Sequence, residues 1–135
     1  MQQIEIAESQ IKALIEAWAD AVRRHDLSGI LAHHEQNIVM FDVPPPLQSK
    51  GMEEYKKTWD LFFQYHKPSQ KFDIEELEIT AGEDVAFAIA IMRCGGGKDR
   101  ELPGGGFLFR LTIGLRRIDG EWRITHEHHS VPSPD

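Results

Sequence analysis

The sequence predicts an α+β fold in which N-terminal helices pack on one face of a curved antiparallel sheet. Three observations carry this. In the first half, apolar residues recur at three- and four-residue spacing, as they do along one face of a helix. From Phe72 onward they mostly alternate with polar or small residues, as in strands with two different faces. After Pro68 the period changes, so the helices and one short strand precede a run of strands that meanders from neighbour to neighbour.

The elements follow in order. Ile4, Ile11, Leu14, Ile15, Trp18, Ala21 and Val22 form the apolar stripe of an opening helix, with Glu8, Lys12, Glu16, Asp20 and Arg23 on its other faces. His25-Asp26 ends it, and Asp26 or Ser28 can cap a short second helix carrying Ile30 and Leu31. The run 37–42 is rich in strand formers, and Pro44-Pro45-Pro46 stops it. A third helix is predicted over 51–66, with Met52, Tyr55, Trp59, Phe62 and Phe63 on its stripe. In the strand 72–80, Phe72 and Ile74 share one parity and Leu77 and Ile79 the other, which predicts a bulge near Glu75-Glu76. The strand 85–93 puts Val85, Phe87, Ile89 and Ile91 on one face and Ala86, Ala88 and Ala90 on the other. A glycine-rich loop from Gly95 to Gly106 leads into the strand 107–118, and Asp119-Gly120 is a strong hairpin signal before the final strand 122–130.

Length and composition bound the function. The 135 residues suit one domain spanning 1–135. Twenty-two acidic against 15 basic residues leave a net charge of −7, which disfavours nucleic acid and an anionic membrane surface as partners. The single cysteine, Cys94, excludes an internal disulfide and a cysteine-rich zinc site. The first residues lack the basic and apolar runs of a signal peptide, and the apolar run 85–92 is too short to span a bilayer, so a soluble cytoplasmic protein is expected.

Several stretches together resemble the nuclear transport factor 2-like superfamily, also called SnoaL-like or ketosteroid isomerase-like. They are the opening helix ending in 24–30, Met40-Phe41-Asp42, Gly51 to Tyr55, Gly82 to Ala86, and the ending 119–130. The ending is also similar to the association domain of calcium/calmodulin-dependent protein kinase II. The resemblance implies a cone, with the sheet wrapped around three helices and a pocket inside. It implies a general base at Asp42. The tyrosine donor of the isomerases falls on Trp18, and their second, protonated aspartate falls near Thr112 or Ile113. Both donors are thus replaced, which argues against steroid isomerisation by that route. Dimers that pair the outer sheet faces are also implied.

The candidate site residues come from the strand ends and the last hairpin. Asp42 beside Phe41 and Val43 is either a general base in apolar surroundings or a carboxylate capping the turn before the prolines. A two-residue Asp119-Gly120 turn predicts that Ile113 faces His126, Thr112 faces Glu127 and Arg110 faces His129. Arg110, Thr112, Glu127 and His129 then share a polar face, and Phe109, Leu111, Ile113, Leu115, Trp122, Ile124, His126 and His128 the other. If the polar face lines the pocket, Glu127 and His129 form a proton-transfer pair, or Arg110 and His129 clamp an anion. The opposite assignment puts His126 and His128 inside, and a solvated charge ladder is the plain alternative.

Other residues are weighed the same way. His126 and His128 could ligate a metal from one strand face with His33, His34 or Asp42 as third donor, but no spacing supports one of these, so neither metal nor cofactor is expected. Arg93 reads as a pocket anchor, an interface ion pair or a residue reaching for water. Trp18, Tyr55 and Trp59 are core residues that also shape a cavity, with Tyr55 the best hydroxyl donor. The glycine-rich loop lacks the helix and lysine of a phosphate loop and suits a flexible connection or a lid. Two functions remain open: a small cofactor-free enzyme moving a proton on a small, partly apolar substrate, or a non-catalytic module that binds a small molecule or assembles copies of itself. A homodimer fits both.

Overall fold

The computed structural model describes residues 2–68, 70–95 and 105–133. Its elements are α1 (Gln2–Arg23), α2 (Leu27–Leu31), β1 (His34–Phe41), β2 (Ser49–Lys50), α3 (Met52–Phe62), β3 (Lys71–Ala81), β4 (Val85–Gly95), β5 (Phe107–Ile118) and β6 (Glu121–Ser130). The strands form one sheet in the order β2-β1-β6-β5-β4-β3. The meander from β3 to β6 is antiparallel as expected. At the far edge β1 runs parallel to β6, because the chain passes from β1 through α3 before the meander returns beside it.

Local chemistry accounts for most boundaries. Asp26 caps α2 by accepting the Gly29 amide. The third helix stops at Phe62, short of the predicted His66, because the Gln64 and Tyr65 amides bond three residues back and tighten the chain into turns. His66 is buried there. Its Nδ1 lies 2.9 Å from Nε2 of His25 and its Nε2 lies 3.1 Å from the Lys71 carbonyl, which ties the ends of α1 and α3 to the start of β3. The first strand starts at His34, earlier than the predicted Asn37, and the Ile124 amide bonds the His33 carbonyl at its entrance. The bulge expected in β3 is present between Ile74 and Glu76. Asp119 and Gly120 both have positive φ, the backbone that a two-residue turn between right-twisted strands requires.

The helices sit inside the curve of the sheet. Ile11, Ile15, Trp18 and Val22 of α1 and Tyr55 and Trp59 of α3 are buried, as are Phe109, Leu111, Ile113, Leu115 and Ile124 of the sheet. On β4 the small residues Ala86, Ala88 and Ala90 face inward, where large side chains would push the layers apart. Val85, Phe87 and Ile89 therefore face outward, 62%, 47% and 49% exposed. The loop expected as a flexible connection or lid lies, over 96–104, outside the described residues.

The register predicted for the last hairpin needs correction. It holds near the turn, where Ile118 faces Glu121 and Arg117 faces Trp122. It then shifts between Leu115 and Gly114: Leu115 faces Ile124 but Gly114 faces His126. Thr125 is the extra residue, a β-bulge whose hydroxyl lies 3.4 Å from the Gly114 carbonyl. Beyond it Ile113 faces Glu127, Thr112 faces His128, Leu111 faces His129 and Arg110 faces Ser130. A slip of one residue exchanges the two faces of a strand.

Candidate functional site

The bulge carries Glu127 and His129 to the inner, apolar face, beside Ile113 and Leu111. The expected four-membered polar cluster is therefore divided. Arg110 and Thr112 lie on the outer face, with Arg110 donating to the Ser130 hydroxyl at 3.1 Å. His128 is exposed on the outer face, and both it and His126 stand edge-on to Phe41. His126 donates from Nδ1 to the Val39 carbonyl at 2.6 Å.

Inside, four side chains from three elements meet. Tyr55 of α3 donates its hydroxyl proton to Glu127 Oε2 at 2.7 Å. His34, at the start of β1, donates from Nε2 to the same oxygen at 2.8 Å, and that nitrogen lies 2.9 Å from the Tyr55 oxygen. His129 of β6 donates from Nε2 to Glu127 Oε1 at 3.0 Å. All four residues are buried. Burial alone would raise the Glu127 pKa, but bonds and charge from His129 and His34 outweigh it and hold the carboxyl at about 2. Burial, reinforced by the same carboxylate, pushes the Tyr55 phenol well above its ordinary value, so it remains a donor.

Proton positions follow from the partners. Nδ1 of His34 bonds the Ala32 carbonyl at 2.8 Å, and Nε2 faces a carboxylate. Both partners accept, so each nitrogen of His34 is placed to donate, and the protonated ring matches the charge of Glu127. In His129 the carboxylate holds a proton on Nε2, and Nδ1, which makes no hydrogen bond among the described residues, is the nitrogen placed to exchange a proton. The ring stacks on Phe109 at 5.5 Å and stands edge-on to Trp18 and Trp59, each at 6.3 Å. A carboxylate that orients an imidazole and a free basic nitrogen on its other side form a general-base dyad.

The indole N–H groups of Trp18 and Trp59 are buried and directed at the Tyr55 oxygen, short of full hydrogen-bond geometry.

The remaining predicted residues lie elsewhere. Asp42 follows β1, accepts its neighbour Val43's amide at 2.8 Å and lines a surface cleft of about 460 Å³ with Pro44, Pro45, Pro46, Lys57 and Thr58. Arg93 lies on the outward parity of β4, donating to the Gly105 carbonyl at 2.7 Å with Glu75 at 3.4 Å. A second cleft, about 420 Å³, lies between α1 and the last hairpin. Neither cleft is lined by Glu127, His129 or Tyr55. Among the described residues no three His, Cys, Asp or Glu side chains are placed to hold a metal ion. No described helix is long and apolar enough to cross a membrane. From the sequence His34 is named only as a possible third metal ligand. It precedes the apolar run of β1, and only the parallel pairing with β6 brings it to Glu127.

With this geometry in view, the comparisons with known proteins place the chain. The SnoaL-like domain model matches residues 11–134. The chain belongs to the SnoaL-like family. Within this family, it is 37% identical to an NTF2-like protein of unknown function from Pseudomonas putida KT2440, covering 96% of this chain and 89% of that one, with a TM-score of 0.87. A ketosteroid isomerase-like protein from Erwinia carotovora atroseptica shares the fold at 21% identity and a TM-score of 0.71, over 93% of this chain and 96% of that one. A protein of unknown function with a cystatin-like fold from Nostoc punctiforme shares it at 16% identity and a TM-score of 0.76, over 93% and 92%. No curated protein matches the chain.

Proposed function

We propose that this SnoaL-like protein is a small acid–base enzyme that moves a proton on a small, partly apolar substrate using its own side chains. His129 is the base and Glu127 the residue that orients it. One observation carries the reading: Glu127 Oε1 engages Nε2 of His129, which leaves a basic Nδ1 on a ring that keeps 7% of its surface exposed. When Nδ1 takes a proton, the imidazolium forms against a carboxylate that is already ionised, so little rearrangement is needed. The aromatic rings packed around His129 favour a substrate with an apolar body.

The test is wash-in of deuterium from D2O into a panel of small enolisable ketones, acetophenone among them, followed by proton NMR. Exchange above buffer is expected for the wild-type chain and its loss, by at least about 100-fold, for His129→Gln. Asp42→Asn is the control, because Asp42 is the other candidate base. Exchange that survives His129→Gln but not Asp42→Asn moves the role to Asp42, and no exchange with any ketone refutes the reading.

A second reading, a module that assembles copies of itself, is supported by the apolar outer stripe of Val85, Phe87 and Ile89. The two are compatible, and we propose a homodimer formed through that face. The net charge of −7 supports neither nucleic acid nor an anionic membrane as a further partner.

A further inference from the structure

Two imidazoles outside the Glu127 site share a hydrogen bond whose direction is fixed by a third group. Nε2 of His66 lies 3.1 Å from the Lys71 carbonyl, which only accepts, so that nitrogen carries a proton. In the neutral ring Nδ1 then keeps its lone pair, and Nε2 of His25, 2.9 Å away, donates to it. His25 stacks on Phe63 at 4.2 Å and His66 on Phe62 at 4.9 Å, and His66 is buried. The backbone is committed to the same contact. His25 has a φ of 55° where α1 ends, with its amide on the Val22 carbonyl and the next amide on the Ala21 carbonyl. That left-handed position after a helix usually belongs to glycine, so the histidine holds it at a cost in strain.

We propose that His25 and His66 form a proton-operated latch that fastens the end of α1 to the end of α3 and the start of β3, closed while His66 is neutral and opened when both rings are charged. One proton leaves it closed. It enters at Nδ1 of His25, which makes no hydrogen bond among the described residues, and the charged ring still donates from Nε2. A second proton must enter at Nδ1 of His66. Two N–H groups then face each other across the same gap, two like charges stand side by side, and the bond becomes a repulsion. The charged groups that the packed elements bring are Asp20, Arg23, Arg24 and Asp26 at the end of α1, Asp60 and Lys67 about the end of α3, and Lys71 and Asp73 of β3. Arg24 holds Asp20 at 2.9 Å and Asp26 at 3.4 Å, and Arg23 holds Asp73 at 3.2 Å. No carboxylate among the described residues bonds either ring, so a charge on buried His66 has no anion to meet it.

The sign and the place of the opening follow. Burial, with the charge of His25 added, holds the His66 pKa below its ordinary 6.5 despite the Lys71 bond, so the latch opens in acid, below that pH. The Tyr65 and His66 amides both bond the Phe62 carbonyl in the turn that carries His66. Phe62 in turn stands edge-on to Trp59 at 5.3 Å and to Phe72 at 5.8 Å. Opening the latch frees that turn and the ring contacts behind it, whereas the ladder between β5 and β6 is held by bonds that no histidine of the pair touches. The latch is independent of the reading of His129 as a base.

NMR of the 15N-labelled full chain tests this, from about pH 8 down to about pH 4.5, where Glu127 begins to lose its stabilising charge. Imidazole nitrogen shifts report the protonation of each ring, and amide hydrogen exchange, corrected for its intrinsic pH dependence, reports the opening. Both rings are expected to carry their proton on Nε2 at the upper end, and His66 to charge after His25. As His66 charges, the Tyr65 and His66 amides should lose at least about tenfold in protection while those of β5 keep theirs. His25→Gln replaces one ring by an amide that offers either its oxygen or its NH2 to His66, and His66→Gln does the same for His25. Each variant is expected to hold its protection across the whole range, and the pair keeps the test open if one of them folds poorly. A proton on Nδ1 of His66 at the upper end, a His66 that stays neutral throughout, or protection unchanged as it charges would overturn the latch. So would the same acid loss of protection in the glutamine variants.

Discussion

Three donors converge on the Glu127 carboxylate, and they decide how it responds to pH and to substitution. Its folded pKa is about 2 against an ordinary 4.5. A lowered carboxyl pKa stabilises the fold above the unfolded value, and that stability is lost as pH falls from about 4.5 through about 2. Glu127→Gln removes the buried charge on which three donors converge. The expected cost is about 3–5 kcal/mol, read from urea unfolding at neutral pH. The variant is also expected to lose the wild type's steep decline in stability between those two pH values. A variant as stable as wild type would mean that His34 is neutral and the pair is not ionic. Glu127 and His129 were legible as a chemical pair because the two residues stand two apart on a strand. Their joint burial with His34 and Tyr55 was not, since those partners are separated from Glu127 by 93 and 72 residues.

At the scale of elements, one residue sets which side chains of β6 face the interior. Trp122 and Ile124 point inward, and without the bulge at Thr125 the inward series would continue to His126 and His128. Deleting Thr125 removes the extra residue and is expected to straighten β6 while keeping Glu127 and His129 inward, because 124, 127 and 129 then alternate regularly. The variant should stay folded and keep the loss of stability at low pH that Glu127 confers, followed by circular dichroism. A variant that lacks this acid-linked loss would show that the inward register needs the bulge itself. The bulge in β3 was readable because the apolar parity switches within the strand, from Ile74 to Leu77. In β6 the parity switches from apolar to polar residues, Ile124 to Glu127, so hydrophobicity carried no sign of it.

At the scale of the whole molecule, the cone has an inner face filled by its helices and an outer face with no helix over it. On β4 the smaller residues are inside and Val85, Phe87 and Ile89 outside, the reverse of what burial of a lone domain favours. Phe87→Glu tests the proposed dimer, because a charge at the centre of an apolar contact weakens association by at least about tenfold. Analytical ultracentrifugation is expected to show a wild-type dimer at micromolar concentrations and a monomeric variant. A monomeric wild type would sink the idea.

Some of this protein was determined along the chain itself. Helical spacing, strand alternation, prolines and the Asp119-Gly120 turn are local signals, and together they specify the element order and the α+β fold. Local physics acts between neighbours in sequence, so it is readable there. The site was decided by tertiary structure. A parallel pairing of β1 with β6, one bulged residue and two helices from distant segments bring His34, Tyr55, Glu127, His129, Trp18 and Trp59 together. What holds them is desolvation and mutual hydrogen bonding in a closed interior, and those forces do not exist until the chain has folded.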